Sequence, residues 1–325
     1  MAHPTEVSSI LYADVPSFMR VKVAKVKEDI FEHDAAILGV PFDGVTTFRS
    51  GDTRLAPQEI RKYSLLFGGY IIELGINVLK NVRVVDYGDV DVVPGDTTLT
   101  NRRVFERVRQ IVEAGAIPLV LGGDHWISYP IVKAVTESSD GKIGVIHFDS
   151  HNDLMDEYKG DRETRASPMR RIAELAGVKS QNIVQIGIRG ARNPEDQLLI
   201  AKRLGIKVFT IKDVESEGIE SVSEEALRIA WDGMDSVYVT VDIDVVDPAF
   251  APGTNSLEPG GLTSREIIQA LRIVGKFGFS GFDIVEVAQR FDTPSGITST
   301  LAARLVVEAL GQLALKSQGR HTGKS

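Results

Sequence analysis

Short β-branched apolar runs alternate along this chain with amphipathic segments of helical period. AAILGV at 35–40 precedes PQEIRKYSLLF at 57–67, VRVVDYGDV at 82–90 precedes TNRRVFERVRQIVEAG at 100–115, and IPLVLGG at 117–123 precedes a segment starting at Trp126. KIGVIHFDS, NIVQIGIRG, IKVFTIKD, SVYVTVDIDV and FSGFDIVEV add five strand candidates, with helical patterns in SEEALRIAW, TSREIIQALRIV and STLAARLVVEAL. Period-2 or continuous apolar runs predict strands, and apolar residues three and four apart predict helices. About eight strands with interleaved helices predict an α/β fold whose mainly parallel sheet is covered on both faces, because parallel strands need crossovers. A closed barrel and an open doubly wound sheet share this pattern, and both carry their sites at the carboxyl ends of strands.

No Pro/Gly/Ser linker, low-complexity block or fixed-period repeat divides the 325 residues, so one domain over 1–325 is expected. Residues 1–32 read as an N-terminal extension and 316–325, KSQGRHTGKS, as a flexible tail. The N-terminus lacks a basic-then-apolar signal and no apolar run approaches the ~20 residues of a bilayer span, so a cytoplasmic protein is expected. A formal charge of −8 opposes nucleic-acid and anionic-membrane partners while leaving small cations welcome. The chain has no cysteine, so any metal must be held by oxygen and imidazole.

Three polar groups stand where apolar strands finish: LGGDHW at 121–126, HFDSHND at 147–153 and VDIDVVDP at 241–248. Alternation in an extended strand would point Asp149, His151 and Asp153 into one cavity, and would pair Asp242 with Asp244. With His125 they make four carboxylates and two imidazoles, a like-charge cluster that costs several kcal/mol unless divalent cations neutralise it. Six ligands exceed what one catalytic metal needs, and two metals sharing carboxylates would use them all. Mixed Asp/His ligation points to Mn²⁺, with Ni²⁺, Co²⁺, Zn²⁺ and Fe²⁺ also compatible. Asp247, before Pro248, reads as a turn former, and His147 as a satisfied core histidine.

At these motifs the chain resembles the ureohydrolase superfamily of arginases and agmatinases, most closely agmatinase-type segments. GGDH at 122–125, FDSHND at 148–153 and DIDVVDPAFAPGT at 242–254 match its three metal signatures in order; GVPFDGVTTFRSGDTRLAPQEIR, EPGGLT and GFDIVEVAQRFD extend the likeness over roughly 33–315. The resemblance implies a three-layer α/β/α sandwich, two divalent metal ions per chain, and a homotrimer or homohexamer. It implies one metal on His125, Asp149, Asp153 and Asp242 and another on Asp149, His151, Asp242 and Asp244. Asp149 and Asp242 would then bridge. It further implies hydrolysis of a small guanidino compound to urea and an amine, through a bridging water made acidic by the two cations. Glu286 would take the guanidinium fork, Asp153 would also serve catalysis, and Asn152 and Arg165 would contact substrate.

One departure stands out. The family's shuttle histidine is expected in GDRETRASPMRRIAE at 160–174, yet no histidine occurs between His151 and His321, and Arg165 or a neighbour takes its place. Arginine is not an acid–base group near neutrality, which leaves Asp156, Glu157, Glu163 or water as proton carriers. It also leaves open a non-catalytic or partner-dependent subunit of a heteromer with a paralogous chain. Arg165 and Arg170 at the mouth, Ser150 where relatives carry Ala, and Asn255-Ser256-Leu257 all bear on the substrate tail. A two-metal phosphoesterase would require more histidine ligands than six scattered histidines supply, and a basic phosphate clamp.

Overall fold

The computed structural model describes residues 17–44, 51–138 and 141–319; the parts of the sequence patterns at 1–16, 45–50 and 320–325, His321 among them, lie outside these residues. In chain order the first half carries β1 (Lys22–Val23), β2 (Ala35–Val40), α1 (Ala56–Ser64), β3 (Tyr70–Ile71), β4 (Ile76–Asn77), α2 (Val78–Asn81), β5 (Val84–Asp89), α3 (Thr97–Glu113), β6 (Ile117–Gly122), α4 (Ser128–Glu137) and β7 (Ile143–Phe148). The second half carries α5 (Pro168–Ile172), β8 (Val178–Ile188), α6 (Gln197–Leu204), β9 (Lys207–Thr210), α7 (Ile211–Glu217), α8 (Ile219–Trp231), β10 (Ser236–Asp242), α9 (Ser264–Val274), β11 (Gly281–Val285) and α10 (Ile297–Ser317).

Among the described residues, nine strands form one sheet in the order β1-β5-β2-β6-β11-β10-β7-β8-β9, with every neighbouring pair parallel. Its ends do not pair with each other, so the sheet is open. Alternation along each strand feeds two cores, as a sheet buried on both faces requires. Ile37, Ile146 and Val239 pack with Ile60 of α1, Val222 of α8, Ile267 of α9 and Leu305 of α10. Leu38, Val145 and Tyr238 pack on the other side with Val104 of α3, Ile131 of α4 and Met169 of α5. The result is a three-layer α/β/α sandwich.

The ninth strand was not expected. Residues 22–23 are too short to show a period, and both are exposed at the edge. The segment read as an extension is nonetheless built into the fold: Phe18 and Ile30 are fully buried, and the Phe18 amide donates to Asp86 Oδ2 at 2.8 Å.

The four strands that end in the polar motifs are adjacent, in the order β6-β11-β10-β7, at the centre of the sheet. Their ends are level, because Ile284 pairs with Leu121, Asp242 with Val285, and Val241 with Phe148. Register therefore lines up Gly122, Val285, Asp242 and Asp149 along the carboxyl edge, with Glu286 one residue beyond Val285.

Candidate metal centre

Past β6 the chain must turn sharply, and Gly123 permits it: a Cβ there would lie 1.9 Å from the Phe42 carbonyl oxygen. Asp124 then accepts from the Trp126 amide at 3.2 Å and starts a 3₁₀ turn that swings His125 over the sheet edge. His125 is 1% exposed, and its Nδ1 lies 3.0 Å from Asp149 Oδ2, 3.1 Å from Asp153 Oδ2 and 3.3 Å from Asp242 Oδ2. A second cluster adjoins it, with His151 Nδ1 at 3.1 Å from Asp244 Oδ2 and 3.3 Å from Asp149 Oδ1. Asp149 thus gives one oxygen to each cluster. Asp242 gives Oδ2 to the first, while its Oδ1 accepts from the Asp244 amide at 2.8 Å.

Strand alternation is not what gathers these groups. β7 stops at Phe148 and β10 at Asp242, so Asp149 to Asp153 and Asp244 lie on turns. Asp153 is placed by a left-handed backbone, φ +52°, and Asp244 by a 3₁₀ turn over Ile243–Val245. Consequently Asp153 joins His125, while His151 faces Asp244.

Hydrogen bonds around the clusters fix the imidazoles. Thr240 Oγ1 donates its only proton to Asp283 Oδ1 at 2.5 Å, so at 3.1 Å from His125 Nε2 it must accept, which in the neutral imidazole leaves Nδ1 with its lone pair. Gln185 Nε2 donates to the Asn152 carbonyl at 2.7 Å and to His147 Nδ1 at 2.9 Å, so His147 Nε2–H donates to Asp149 Oδ2 at 2.8 Å. His147 is satisfied and fully buried, but it is a support of Asp149 and lies within the His/Asp group rather than remote from it. With both nitrogens engaged it is not a candidate ligand. Ser150 Oγ donates to Asp244 Oδ1 at 2.8 Å, giving the unusual serine a definite partner.

The charges conflict as expected of a site that wants cations. Burial pushes Asp242 well above the usual carboxylate range, and then Asp244 and Asp149 raise it further. Burial also raises Asp149, but His147 and then His125 and His151 outweigh it and hold the acid well below its usual range. Burial alone would lower His125, yet Asp149, Asp153 and Asp242 lift it well above its ordinary value. Protons on imidazole are standing where cations could. His125 Nδ1 and Asp244 Oδ2 are buried without a hydrogen-bond partner, and the ligand atoms of His125, Asp149 and Asp153, and those of Asp149, His151 and Asp244, lie close enough together to hold an ion. The oxygen and nitrogen donor set therefore fits divalent metals.

Both clusters open into a cavity of about 360 Å³, lined also by Met155, Tyr158, Arg165, Arg192, Asn255 and Glu286. Glu286 follows β11 in a left-handed conformation, φ +62°, and its Oε1 accepts from the His125 amide at 2.9 Å. Burial pushes its carboxyl up to about 7, against the pull of Arg165. Arg165 is not a mouth residue. It reaches the floor and donates to Glu286 Oε2 at 2.6 Å and Asp43 Oδ1 at 3.2 Å. Arg170 stays outside, paired with Glu174 at 3.2 Å. Asn152, expected against substrate, is fully buried and turns its amide to Gln185 Oε1 at 2.8 Å, so its side chain does not line the cavity. Asp156, Glu157 and Glu163 do not line it either. Asp247 is the turn former its neighbour Pro248 suggested, accepting from the amides of Ala249, Gly260 and Gly261.

Sequence patterns did not single out Thr240, Asp283, Gln185 and Arg189. Arg189 donates to the carbonyls of Asp244 at 2.8 Å and Glu258 at 2.5 Å, tying the loop after β10 to the EPGG turn. The available signal was polarity inside apolar strands: Gln185 and Asp283 are buried, and each interrupts an apolar run.

An open parallel α/β/α sheet with two His/Asp clusters sharing a carboxylate at its carboxyl edge defines the framework of a metal-binding site. The Arginase family model matches residues 33–311, and the chain belongs to the arginase family. Proclavaminate amidinohydrolase of Streptomyces clavuligerus is 36% identical over 303 residues, covering 93% of this chain and 94% of that one. Guanidinopropionase of Pseudomonas aeruginosa is 37% identical over 304 residues, 93% of each chain. The solved structure of the Streptomyces clavuligerus enzyme superposes with a TM-score of 0.85 at 34% identity, covering 94% of this chain and 98% of that one. The chain is thus an amidinohydrolase, an enzyme that cleaves C–N bonds of linear amidines.

Proposed function

We propose that the chain hydrolyses a guanidino compound to urea and an amine with two divalent metal ions, Mn²⁺ first and Ni²⁺ as the alternative. Candidate substrates are agmatine, guanidino acids, guanidine and substituted guanidines or biguanides. The observation that carries this is the shared Asp149, whose two oxygens face separate His/Asp clusters at the floor of one cavity.

His125, Asp149, Asp153 and Asp242 would hold one ion, and Asp149, His151 and Asp244, with Asp242 between them, the other. Bound there, the ions would supply the positive charge that makes a water nucleophilic at neutral pH. Thr240 keeps His125 in the ligating tautomer, and His147 orients Asp149. Glu286 positions the planar amidino carbon over this floor. The reading extends to a cytoplasmic protein and a homotrimer or homohexamer.

The test is urea release across such compounds, measured on protein carrying about two equivalents of Mn²⁺ or Ni²⁺ per chain. Asp149→Ala should lose both metal retention and turnover; activity surviving in that variant would remove the shared-ligand assignment. One observation favours a second reading, a subunit dependent on a paralogous partner: Arg165 occupies Glu286. Turnover that arises only on mixing with such a partner would establish it.

A further inference from the structure

We propose that Arg165 is the specificity-determining residue of the cavity, and that it selects guanidino compounds whose far end is anionic. The proposal rests on the amidinohydrolase reading and names its substrate class: a guanidino acid, not a diamine-derived dication.

Arg165 is a guanidinium already resident on the carboxylate proposed to receive one. It donates to Glu286 Oε2 at 2.6 Å and to Asp43 Oδ1 at 3.2 Å, and lies 3.5 Å from Asp124 Oδ2, with its side chain 11% exposed. An arginine does not deprotonate, and three acids surround this one, so it remains as a fixed cation. The other Glu286 oxygen already accepts the His125 amide at 2.9 Å. Each oxygen keeps a further lone pair, so an incoming guanidinium can share Glu286 but cannot have it alone.

The remaining charges set the tail. Outside the two His/Asp clusters, the charged groups lining the cavity among the described residues are Glu286, Arg165 and Arg192. Glu286 is committed to Arg165. A second cation on the substrate would therefore meet two arginines and no uncommitted carboxylate, and like charges brought together in a half-enclosed cavity repel. A carboxylate tail meets the reverse. Arg192 is exposed and forms no ion pair with another described residue. Asn255 lines the same cavity at 3% exposure with neither amide atom partnered, and Arg165 Nε is also buried without a partner. Buried donors left unpaired cost free energy that an acceptor on the ligand would recover.

The test compares agmatine with the guanidino acid of equal chain length, in which a carboxylate replaces the primary amine. Both kcat/KM and dissociation constants, by calorimetry, are read on the full-length Mn²⁺-loaded protein. Wild type should prefer the acid by about tenfold or more, the scale of one partly screened charge contact. Arg165→Gln should shrink that ratio by about tenfold, whereas Arg165→Lys, which keeps the charge, should preserve most of it. Preference for agmatine in wild type, or an unchanged ratio in Arg165→Gln, would overturn the proposal. So would an equal rise for both compounds in Arg165→Gln, the mark of a plug rather than a selector. If both compounds bind but neither is cleaved, the hydrolase reading fails while the binding ratio still decides the role of Arg165. If neither binds, both fall.

Discussion

Thr240 contributes one hydroxyl to the site, and that hydroxyl has one proton. Because it goes to Asp283 at 2.5 Å, the oxygen can only accept from His125 Nε2, and Nδ1 is left to face three aspartates. Thr240→Val should therefore weaken metal binding by about 10–100-fold, the usual cost of losing such support, with turnover recovering at high metal concentration. Thr240→Ser should restore affinity. A Val variant that titrates metal like wild type would show that the tautomer is set elsewhere. Nothing about Thr240 was legible in advance, since a threonine in a strand is ordinary. The His/Asp cluster was legible because its chemistry is costly: carboxylates and imidazoles that close together have no packing rationale. What failed was the geometry given for them. Asp153 arrives by a left-handed turn and Asp244 by a 3₁₀ turn, and neither conformation leaves a period-2 trace. Asn152 shows the opposite error, a polar residue inside the motif whose amide faces inward to Gln185.

Elements show the same division between what patterns reveal and what only packing decides. Helix α9, readable in TSREIIQALRIV, starts on a reciprocal capping box of Thr263 and Glu266; Thr210 and Asp213 form a like box at α7, which begins inside the IKVFTIKD segment expected to be strand. The α7 box carries a pH dependence. Hydrogen bonding from the Thr210 hydroxyl, ahead of the backbone bond, holds the Asp213 carboxyl below its ordinary value. A depressed acid stabilises fully above its unfolded value of about 4 and loses that contribution as pH falls through the lower folded value. Asp213→Asn should therefore cost up to about 1 kcal/mol at neutral pH. Denaturant unfolding should show the gap closing below about pH 4; a gap that stays constant on acidification would mean the charge is irrelevant. Edge strand β1 had no such signal, because two exposed residues held by pairing to β5 are specified by their neighbour and not by their own sequence.

Across the whole molecule, the central strands β6, β11, β10 and β7 bring together acids that are far apart in sequence, and the two cores on either face hold them there. Alternating strands and helices announced an α/β protein, but only pairing order could say which ends would be neighbours. The price of that convergence is repulsion. Burial and then its neighbours Asp244 and Asp149 push Asp242 well above the ordinary range, so the folded state concentrates charge that the unfolded chain disperses. Cations that bind only the folded form relieve this and add stability by mass action. A metal at about one hundred times its dissociation constant contributes about 2.7 kcal/mol. For a chain of this size that corresponds to a rise in Tm of about 4 °C. Chelation should therefore lower the melting temperature of metal-loaded protein, and added Mn²⁺ should restore it. Asp149→Ala, which breaks both clusters at once, should make the melting temperature indifferent to metal and chelator alike. If that variant still melts higher with Mn²⁺ by the wild-type margin, the stabilising ions bind elsewhere, and the carboxyl edge of the sheet is not what the metal holds together.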